Sequence, residues 1–405
     1  PLGTVAALYE AAFDLLATRT SHRPKVIAST ATIRRADEQV LGLFDRDVFL
    51  FPPSGMSHED SFFVRADQSV PGRLYVGVMA QSHTPISANV HTSAAILQAP
   101  VDLQLEGPSL DAYWTLVAYH NSLRELGKTM TLARDDIPAR MRVIAARTDQ
   151  VRELDDDFGV VELTSNIDAA EIPKVLELLG NEHDSGSSAS VVACTNMISV
   201  GVDIPRLSLM MVNGQPKSTS EYIQATSRVG RDPDRPPGLI VSLYSAAKPR
   251  DRSHYESFKP YHRSIYREVE PTSVTPWTLP ARERALHAAF VILVRHLAGL
   301  PSNEAAAQFA RNTVIDDLIN ALVARAGNCD EREVDATRRH LERLVEEWEK
   351  FVETSTNSPL YESRSKGQQG LLGRFGAGRP GLWPTLDSMR NVDFETLVKV
   401  SGTQR

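Results

Sequence analysis

The sequence is poor in cysteine, with only Cys194 and Cys329 among 405 residues. Two cysteines cannot build the disulfide framework of a small secreted domain or a zinc site made of four thiolates. The histidines lack the H-E-x-x-H spacing of a common metal site, and C-x-x-C is absent. These absences argue against a disulfide-rich secreted protein and a bound metal, and they favour a reducing, cytoplasmic location.

Long hydrophobic runs are also absent. The most apolar stretch, residues 285–300, is interrupted by His287, Arg295 and His296, and it is shorter than the roughly 20 residues that span a bilayer. The opening stretch PLGTVAALYEAAFDLLATR has no basic start before an apolar core, so it does not resemble a signal peptide. The sequence therefore predicts no membrane partner.

Positive charge is not in excess, since the net charge is -7 and the pI is ≈ 5.9. This balance argues against non-specific, histone-like binding to nucleic acid, but it leaves room for a local basic groove. A hydrophobic share of 42% and a charged share of 23% are typical of a globular protein. A chain of this length is expected to form two or three domains.

Between residues 113 and 244, short apolar runs alternate with helical patterns. The runs are candidate strands, namely WTLVAYH, RVIAAR, VVEL, SVVACT, LSLMMV and GLIVSLYS. Strands separated by helices imply right-handed crossovers between parallel strands. Residues 113–270 are therefore predicted to form an α/β domain with a doubly wound parallel sheet.

The flanking regions have other patterns. Residues 1–34 hold an amphipathic helix and a candidate strand, KVIAST. Residues 35–112 are rich in proline, and we interpret them as a linker or accessory segment with added strands and a helix near 88–98. Residues 271–405 contain three helical patterns, which predict an α-helical accessory domain. They end in a glycine-rich, modestly basic tail that is expected to be flexible.

Two polar stretches lie close together in the predicted sheet region. Residues 191–207, VVACTNMISVGVDIPRL, read as a strand that ends in a polar turn and leads to a Gly-x-Asp-x-Pro turn. Residues 218–231, STSEYIQATSRVGR, place Arg228 and Arg231 after Gln224 at spacings that predict one helical face. Either stretch alone fits a capped helix, a turn or a solvated basic rim. The two together, in this order, indicate a functional site.

The two stretches resemble motifs V and VI of superfamily 2 helicases. The matching patterns are T-N-x-x-x-x-G-V-D-I-P and Q-x-T-S-R-V-G-R, with Ser227 in place of the first glycine of motif VI. LVAYHNS resembles motif IV, ELTSNI occupies the place of the small motif that follows it, and IASTATI resembles the interlobe motif III at Thr30, Ala31 and Thr32. The resemblance implies that 113–270 is the second RecA-like lobe and that 1–34 is a remnant of the first.

The resemblance also implies a role in ATP hydrolysis for several residues. Arg231 is the expected arginine finger and Arg228 a second γ-phosphate contact, because a guanidinium offers a fixed, charged fork to the transferred phosphoryl group. Gln224 would bridge the nucleotide and the lobe interface. Asp203 would touch the ribose, and Gly201 would allow the backbone to approach closely.

The residues expected to contact nucleic-acid phosphates are polar residues that follow predicted strands: Thr195, Asn196, Asn121, Ser122 and Thr164. A purely structural capping role stays open as the alternative for each of them.

Two motifs of a complete motor do not occur in the sequence. They are the phosphate-binding loop G-x-x-x-x-G-K-[ST] and the acidic D-E-x-H-like motif for Mg²⁺. Residues 122–129, SLRELGKT, begin with Ser122 instead of glycine and have a helical pattern, so they cannot wrap a phosphate. We expect a first lobe, in cis or in trans, to hold most of the ATP and Mg²⁺. This chain alone is expected to be inactive.

The sequence as a whole predicts the C-terminal motor half of an ATP-dependent superfamily 2 DNA helicase or translocase. The stretch WPTLDSMRNVDF resembles the tail of the helicase-like component of the bacterial DISARM phage-defence system. Only that resemblance favours DNA over RNA as the partner. The alternative function is a non-catalytic DNA-binding or scaffold protein derived from a helicase lobe.

Overall fold

Short apolar runs form the strands in the computed structural model of this protein. The structure describes residues 2–18, 23–30, 32–53, 55–57, 60, 62–65, 67, 69–148, 150–154, 159–168, 170–199, 202–363, 368–374 and 381–386. In these residues the strands are β1 (Leu74–Met79), β2 (Leu116–His120), β3 (Val160–Leu163), β4 (Val191–Cys194), β5 (Leu209–Asn213), β6 (Leu239–Tyr244), β7 (Leu360–Glu362), β8 (Gly370–Arg374) and β9 (Gly381–Thr385).

Helices connect and flank these strands. Over the same ranges the α-helices are α1 (Leu2–Ala17), α2 (Ala36–Phe44), α3 (Pro85–Asp102), α4 (Gly107–Ala112), α5 (Leu123–Arg134), α6 (Asp136–Ala145), α7 (Ile172–Gly180), α8 (Thr219–Thr226), α9 (Pro249–Glu256), α10 (Phe258–Arg263), α11 (Leu279–Ala281), α12 (His287–Leu297), α13 (Thr313–Cys329) and α14 (Val334–Thr354). A π-helical turn, Arg282–Leu286, joins α11 to α12. Of the helices in the described residues, none has the length and apolar character needed to cross a membrane.

The first six strands form one sheet in the order β1-β6-β5-β2-β4-β3, and all neighbouring pairs are parallel. At its centre, Leu116 of β2 is in register with Val191 of β4 on one side and Leu209 of β5 on the other. Parallel neighbours require crossover connections, which are made largely by helices. The predicted α/β doubly wound parallel sheet is therefore confirmed.

Alternate side chains along the strands of the sheet pack into two separate hydrophobic cores. Tyr119 of β2 shares a core with Tyr222 of α8, whereas Ala118 shares the other core with Leu97 of α3 and Met141 of α6. Successive side chains of a strand point to opposite faces, so both faces of the sheet are covered by helices.

The sheet begins earlier in the chain than predicted. β1 pairs with β6 along its whole length, from Leu74 with Leu239 to Met79 with Tyr244. The predicted helix near 88–98 is present as α3 and packs on the sheet. The compact unit that contains the sheet is Ser54–Glu270, so the predicted lobe boundary at residue 113 lies too late. The pairing partner of β1 lies far along the chain, which is why no local pattern revealed it.

Two candidate strands are not strands. RVIAAR falls mainly on α6, where Ile137, Met141 and Ala145 are buried at helical spacing. KVIAST, residues 25–30, has an exposed, irregular backbone. A short apolar run does not distinguish a strand from one side of a helix, and for RVIAAR the helical alternative is the observed one.

A second compact unit is formed by Pro1–Pro53 together with Pro271–Arg405. Its centre is Trp348 of α14, which is fully buried and stacks on Phe309 with ring centroids 3.9 Å apart and an interplanar angle of 7°. The indole Nε1–H of Trp348 donates to the Ala306 carbonyl at 3.0 Å. α1 packs on α12 in the same core. The residues expected to be a remnant of the first lobe thus supply a helix to this largely helical unit.

The glycine-rich tail contains regular structure. β7, β8 and β9 form a parallel three-stranded sheet, and β8 and β9 lie in or directly after the stretch expected to be flexible. Trp383 of β9 is buried, and its Nε1–H donates to Glu347 at 2.8 Å. Residues 364–367, 375–380 and 387–405 lie outside the described part of the chain.

The carboxylate of Asp14 holds the N-terminal segment to the helices of this unit. It accepts from Arg325 of α13 at 2.8 Å and from Arg46 at 2.5 Å, and Arg23 lies 3.4 Å away. Burial opposes ionisation of Asp14, but the hydrogen bonds and charges of Arg46 and Arg325 outweigh it and lower the pKa of this carboxyl. The Arg325 side chain is only 6% exposed, so its charge depends on Asp14.

We predict that Asp14→Asn destabilises the chain by about 3 kcal/mol at neutral pH, because it leaves buried arginine charge without its carboxylate. Since the pKa of Asp14 is lowered on folding, its contribution is complete above the unfolded-state pKa of about 3.9 and is lost as the pH falls through the folded-state pKa. Denaturant unfolding at several pH values tests this, and the two proteins should converge in acid.

The matched control is Glu38→Gln, because Glu38 forms an exposed pair with Arg35 at 3.4 Å. Exposed pairs contribute about 0–1 kcal/mol. Equal effects of the two substitutions would contradict the role assigned to Asp14.

Candidate functional site

The residues predicted to contact nucleic acid follow the carboxyl ends of three parallel strands. Asn121 and Ser122 follow β2, Thr164 follows β3, and Thr195 and Asn196 follow β4. These strands are neighbours in the order β2-β4-β3. The five residues therefore lie along one edge of the sheet, which is where ligands bind in open parallel sheets.

These side chains differ in their exposure. Thr164 is fully buried, and its hydroxyl donates to a glutamate carboxylate of β3 at 2.6 Å. The Ser122 hydroxyl caps α5 by accepting a backbone N–H at 3.3 Å. Thr195 is half-buried, and Asn196 is exposed at the start of a 3-10 helix. Of these four residues, Asn196 and Ser122 are exposed to solvent.

Asn121 ties two strand ends together. Its Nδ2 lies 3.2, 3.1 and 3.3 Å from the carbonyl oxygens of Asn213, Gly214 and Gln215, which end and follow β5. Its Oδ1 is buried and has no hydrogen-bond partner among the described residues. The amide of Asn121 thus fixes the centre of the carboxyl edge.

Two buried polar residues at this edge were missed by sequence reasoning. His120, the last residue of β2, is fully buried, and its Nδ1 lies 3.2 Å from the amide nitrogen of Asn213. Burial lowers the pKa of this imidazole to about 4, so His120 is neutral at neutral pH. Asp251 of α9 accepts the backbone N–H groups of Gln215 at 3.0 Å and Ser245 at 2.9 Å. His120 could have been noticed as a polar residue in an apolar run, but no local pattern marks Asp251.

α8 runs from this edge to the opposite one. Its first turn is capped by Ser218, whose hydroxyl accepts the N–H of Glu221 at 3.2 Å. Eight residues span about 12 Å, and Gln224 is exposed on this helix. Beyond its end, the Gly230 N–H donates at 2.8 Å to the carbonyl of Leu207, which precedes β5. The residues after α8 therefore lie at the amino edge of the sheet.

Arg228 and Arg231 do not lie on one helical face, because α8 ends before both of them. The backbone turns at Gly230, whose φ of 61° is in the left-handed region. A Cβ at Gly230 would lie 2.2 Å from the backbone nitrogen of Gly238. We refer to residues 227–231 as the motif VI turn. Its course depends on close contact between two glycine backbones.

The two arginines of the motif VI turn have different surroundings. The guanidinium of Arg228 donates to the carbonyl oxygens of Val202 at 3.0 Å and Ser199 at 2.5 Å. The Arg231 side chain is 39% exposed, and its guanidinium donates to the Asp203 carboxylate at 2.7 Å. Arg228 therefore joins the motif V loop to the motif VI turn, while Arg231 presents its charge near solvent.

The remaining predicted residues are Gly201 and the three residues of the interlobe motif III. Gly201 and Ala31 lie outside the described residues. Thr30 and Thr32 belong to the other compact unit, where the N–H of Thr32 donates to the Thr30 hydroxyl at 3.2 Å. Within the described ranges, no group of three or more His, Cys, Asp or Glu side chains could hold a metal ion.

We predict that Gly230→Ala destabilises the chain by at least about 2 kcal/mol, since alanine strains a left-handed backbone and its Cβ meets another backbone. Gly127→Ala is the matched control, because Gly127 lies inside α5 with open space around its added Cβ. The control should stabilise the chain by about 0.5–1 kcal/mol. Thermal unfolding measures both, and a Gly230 variant as stable as the control would contradict this description.

Residues 126–233 match the helicase conserved C-terminal domain family. Over 411 aligned residues, the chain is 39% identical to the DISARM protein DrmA of Bacillus paralicheniformis. The alignment covers 97% of this chain and 36% of that relative. The chain thus spans about a third of the length of the curated relative it matches.

Among solved structures, the DUF1998 helicase MrfA bound to DNA and AMPPNP is similar, with a TM-score of 0.49 and 15% identity over 72% of this chain and 35% of that chain. The Mycobacterium smegmatis helicase Lhr bound to ssDNA and AMP-PNP has a TM-score of 0.40 and 16% identity over 73% of this chain and 31% of that chain. The predicted resemblance to a superfamily 2 helicase and to the helicase-like DISARM component is confirmed by the family match and the curated relative: the chain carries the helicase conserved C-terminal domain at residues 126–233 and is related to DrmA over nearly its whole length.

Proposed function

We propose that this chain is the C-terminal motor half of an ATP-dependent superfamily 2 DNA helicase or translocase. One observation carries the proposal: Arg231 projects near solvent from a fixed turn and is paired with Asp203 of motif V at 2.7 Å. This pair brings together the two motifs that the family uses on the nucleotide. We assign Arg231 as the arginine finger and Asp203 as the ribose contact.

The chemistry suits the charge that develops during ATP hydrolysis. The transition state spreads negative charge over the γ-phosphoryl oxygens, and a preorganised guanidinium stabilises it without having to reorganise. In this structure, Asp203 neutralises part of the charge of Arg231. Bound nucleotide would take over that role as Arg231 turns to the phosphate, while Gln224, exposed on α8, would contact the nucleotide or the first lobe.

ATP and Mg²⁺ would be bound mainly by a first lobe, because the sequence has neither a phosphate-binding loop nor the acidic motif. That lobe would be part of a longer polypeptide or of a separate chain. In Mg²⁺-assisted hydrolysis the ion neutralises phosphate charge, and this chain adds the arginine charge from the opposite side. Turnover by this chain alone is therefore expected to be negligible.

Nucleic acid would bind along the carboxyl edge, where backbone amides and polar side chains can meet phosphates. Asn196 and Ser122 are exposed and Thr195 is half-buried, so these three are the most available of the predicted contacts. The burial of Thr164 and the carbonyl contacts of Asn121 give these two residues a structural role in shaping the edge. DNA is the proposed strand, and RNA is the alternative.

The relation to a DISARM protein leads us to place this chain in a bacterial phage-defence system of that type. Translocation along DNA, powered by ATP, is the activity that a motor half would contribute. This assignment rests on sequence similarity, whereas the motor assignment rests on the geometry of the motif V and motif VI residues.

A non-catalytic DNA-binding or scaffold protein is the second candidate. It is favoured by Arg228, because both of its contacts with carbonyl oxygens are structural and a second γ-phosphate contact would require their release. An arginine held in the position of Arg231 has no evident use in a scaffold. The exposed Arg231 therefore favours the motor.

We predict that Arg231→Ala lowers DNA-stimulated ATP turnover by about 10³–10⁵-fold, the contribution of an arginine finger. The assay uses the longer polypeptide that carries the first lobe, or this chain mixed with the chain that supplies it. Arg332→Ala is the control, because Arg332 is 89% exposed and paired with Asp330 in the other unit. Turnover that does not depend on Arg231 would favour the scaffold.

We also predict that Asn196→Ala weakens binding of this chain to single-stranded DNA by about two- to tenfold, the effect of one hydrogen bond. The salt dependence should stay the same, because an amide releases no counterion. Fluorescence anisotropy at several salt concentrations measures both quantities. Gln308→Ala, an exposed amide in the other unit, is the control, and an unchanged affinity for the Asn196 variant would remove this residue from the interface.

A further inference from the structure

Arg73, which lies outside the helicase motifs identified in the sequence, contacts the motif VI turn. Its Nε–H donates to the carbonyl of Val229 at 2.7 Å, and its second guanidinium nitrogen donates to the carbonyl of Ser227 at 3.2 Å. Both acceptors lie between the end of α8 and Gly230. A single planar guanidinium therefore bridges two carbonyls of the turn from which Arg231 projects.

Arg73 is itself held in place. The next residue begins β1, and the N–H of Leu74 donates to the carbonyl of Gly238 at 2.8 Å. Gly238 is the residue whose backbone lies against Gly230. The backbone next to Arg73 and the backbone of Gly230 therefore both contact Gly238, at the amino edge of the sheet.

The turn is held from two directions. Arg228 extends from the turn to the carbonyls of Ser199 and Val202, and Arg73, just before β1, extends to the turn. A positive side chain at a helix C-terminus also interacts favourably with the exposed carbonyls there. Of the two arginines in the turn, Arg228 is held by backbone carbonyls, whereas Arg231 is paired with the exposed carboxylate of Asp203 and can extend toward a ligand.

We infer that Arg73 is a positioning residue for Arg231, so that the residue just before β1 contributes to ATP hydrolysis without touching the nucleotide. The inference rests on the proposed function, in which Arg231 acts on the γ-phosphate. A planar fork can hold two carbonyls at once, whereas the ammonium of lysine lacks that fixed geometry. Misplacing a catalytic group by about 1 Å can cost about a hundredfold in rate.

Arg73→Ala should lower kcat for DNA-stimulated ATP hydrolysis by about ten- to a hundredfold, with little change in KM for ATP. Arg73→Lys should fold normally and recover part of the rate, which keeps the test valid if the alanine variant is unstable. In an Arg231→Ala background, Arg73→Ala should cause no further loss. Arg65→Ala is the matched control, since Arg65 is an exposed arginine paired with Asp60 at 3.2 Å.

Hydrogen exchange on this chain alone provides a second readout that needs no activity. Loss of Arg73 should speed exchange of the Gly230 amide, which donates to Leu207, without a matching change at amides in the centre of β5. Unchanged exchange and an unchanged kcat in the Arg73 variants would overturn the inference.

The outcomes separate the two proposals. Turnover that depends on Arg231 but not on Arg73 overturns this inference and leaves the proposed function standing. Turnover that does not depend on Arg231 overturns both, even if exchange at Gly230 still responds to Arg73. A further rate loss from Arg73→Ala in the Arg231→Ala background shows that Arg73 acts other than through Arg231, and it also overturns the inference.

Discussion

The close contact between Gly230 and Gly238 is the constraint on which the candidate site depends. A left-handed residue there, with no room for a Cβ, turns the chain back to the sheet four residues after α8 ends at Thr226. Arg228 then closes the turn onto the carbonyls of the motif V loop. Because the backbone is fixed on both sides, Arg231 stands beside Asp203 with little freedom in its main chain. Such preorganisation is what electrostatic catalysis requires.

The parallel sheet separates two tasks in space. The residues proposed to contact nucleic acid follow the β-strands at the carboxyl edge of the sheet. The motif VI turn lies at the amino edge. α8 connects the two edges over about 12 Å, with Ser218 at one end and the arginines beyond the other. This helix directly connects the edge proposed to bind the nucleic-acid strand with the turn proposed to contact the γ-phosphate of ATP.

The sequence was most informative where local pattern and fold agree. Five of the six predicted apolar runs in 113–244 are strands of the sheet, and the polar residues named from motifs IV and V follow the ends of β2 and β4. Pairings between segments far apart in the chain could not be predicted from local sequence patterns. β1 pairs with β6 across more than a hundred and fifty residues, and the contacts of Arg228 depend on where Ser199 and Val202 fold. The spacing of Gln224, Arg228 and Arg231 fits a helical face, but α8 ends at Thr226 and leaves both arginines outside the helix.

The most direct measurement of the central claim is the affinity for a transition-state analogue, ADP with aluminium fluoride, in the presence of the first lobe and DNA. If Arg231 acts on the developing phosphoryl charge, Arg231→Ala should greatly weaken binding of this analogue while affinity for a non-hydrolysable ATP analogue changes little. Equal weakening of both would show that Arg231 contributes only to ground-state binding. No change in either would contradict the account, because the arginine beside Asp203 would then have no contact with the nucleotide.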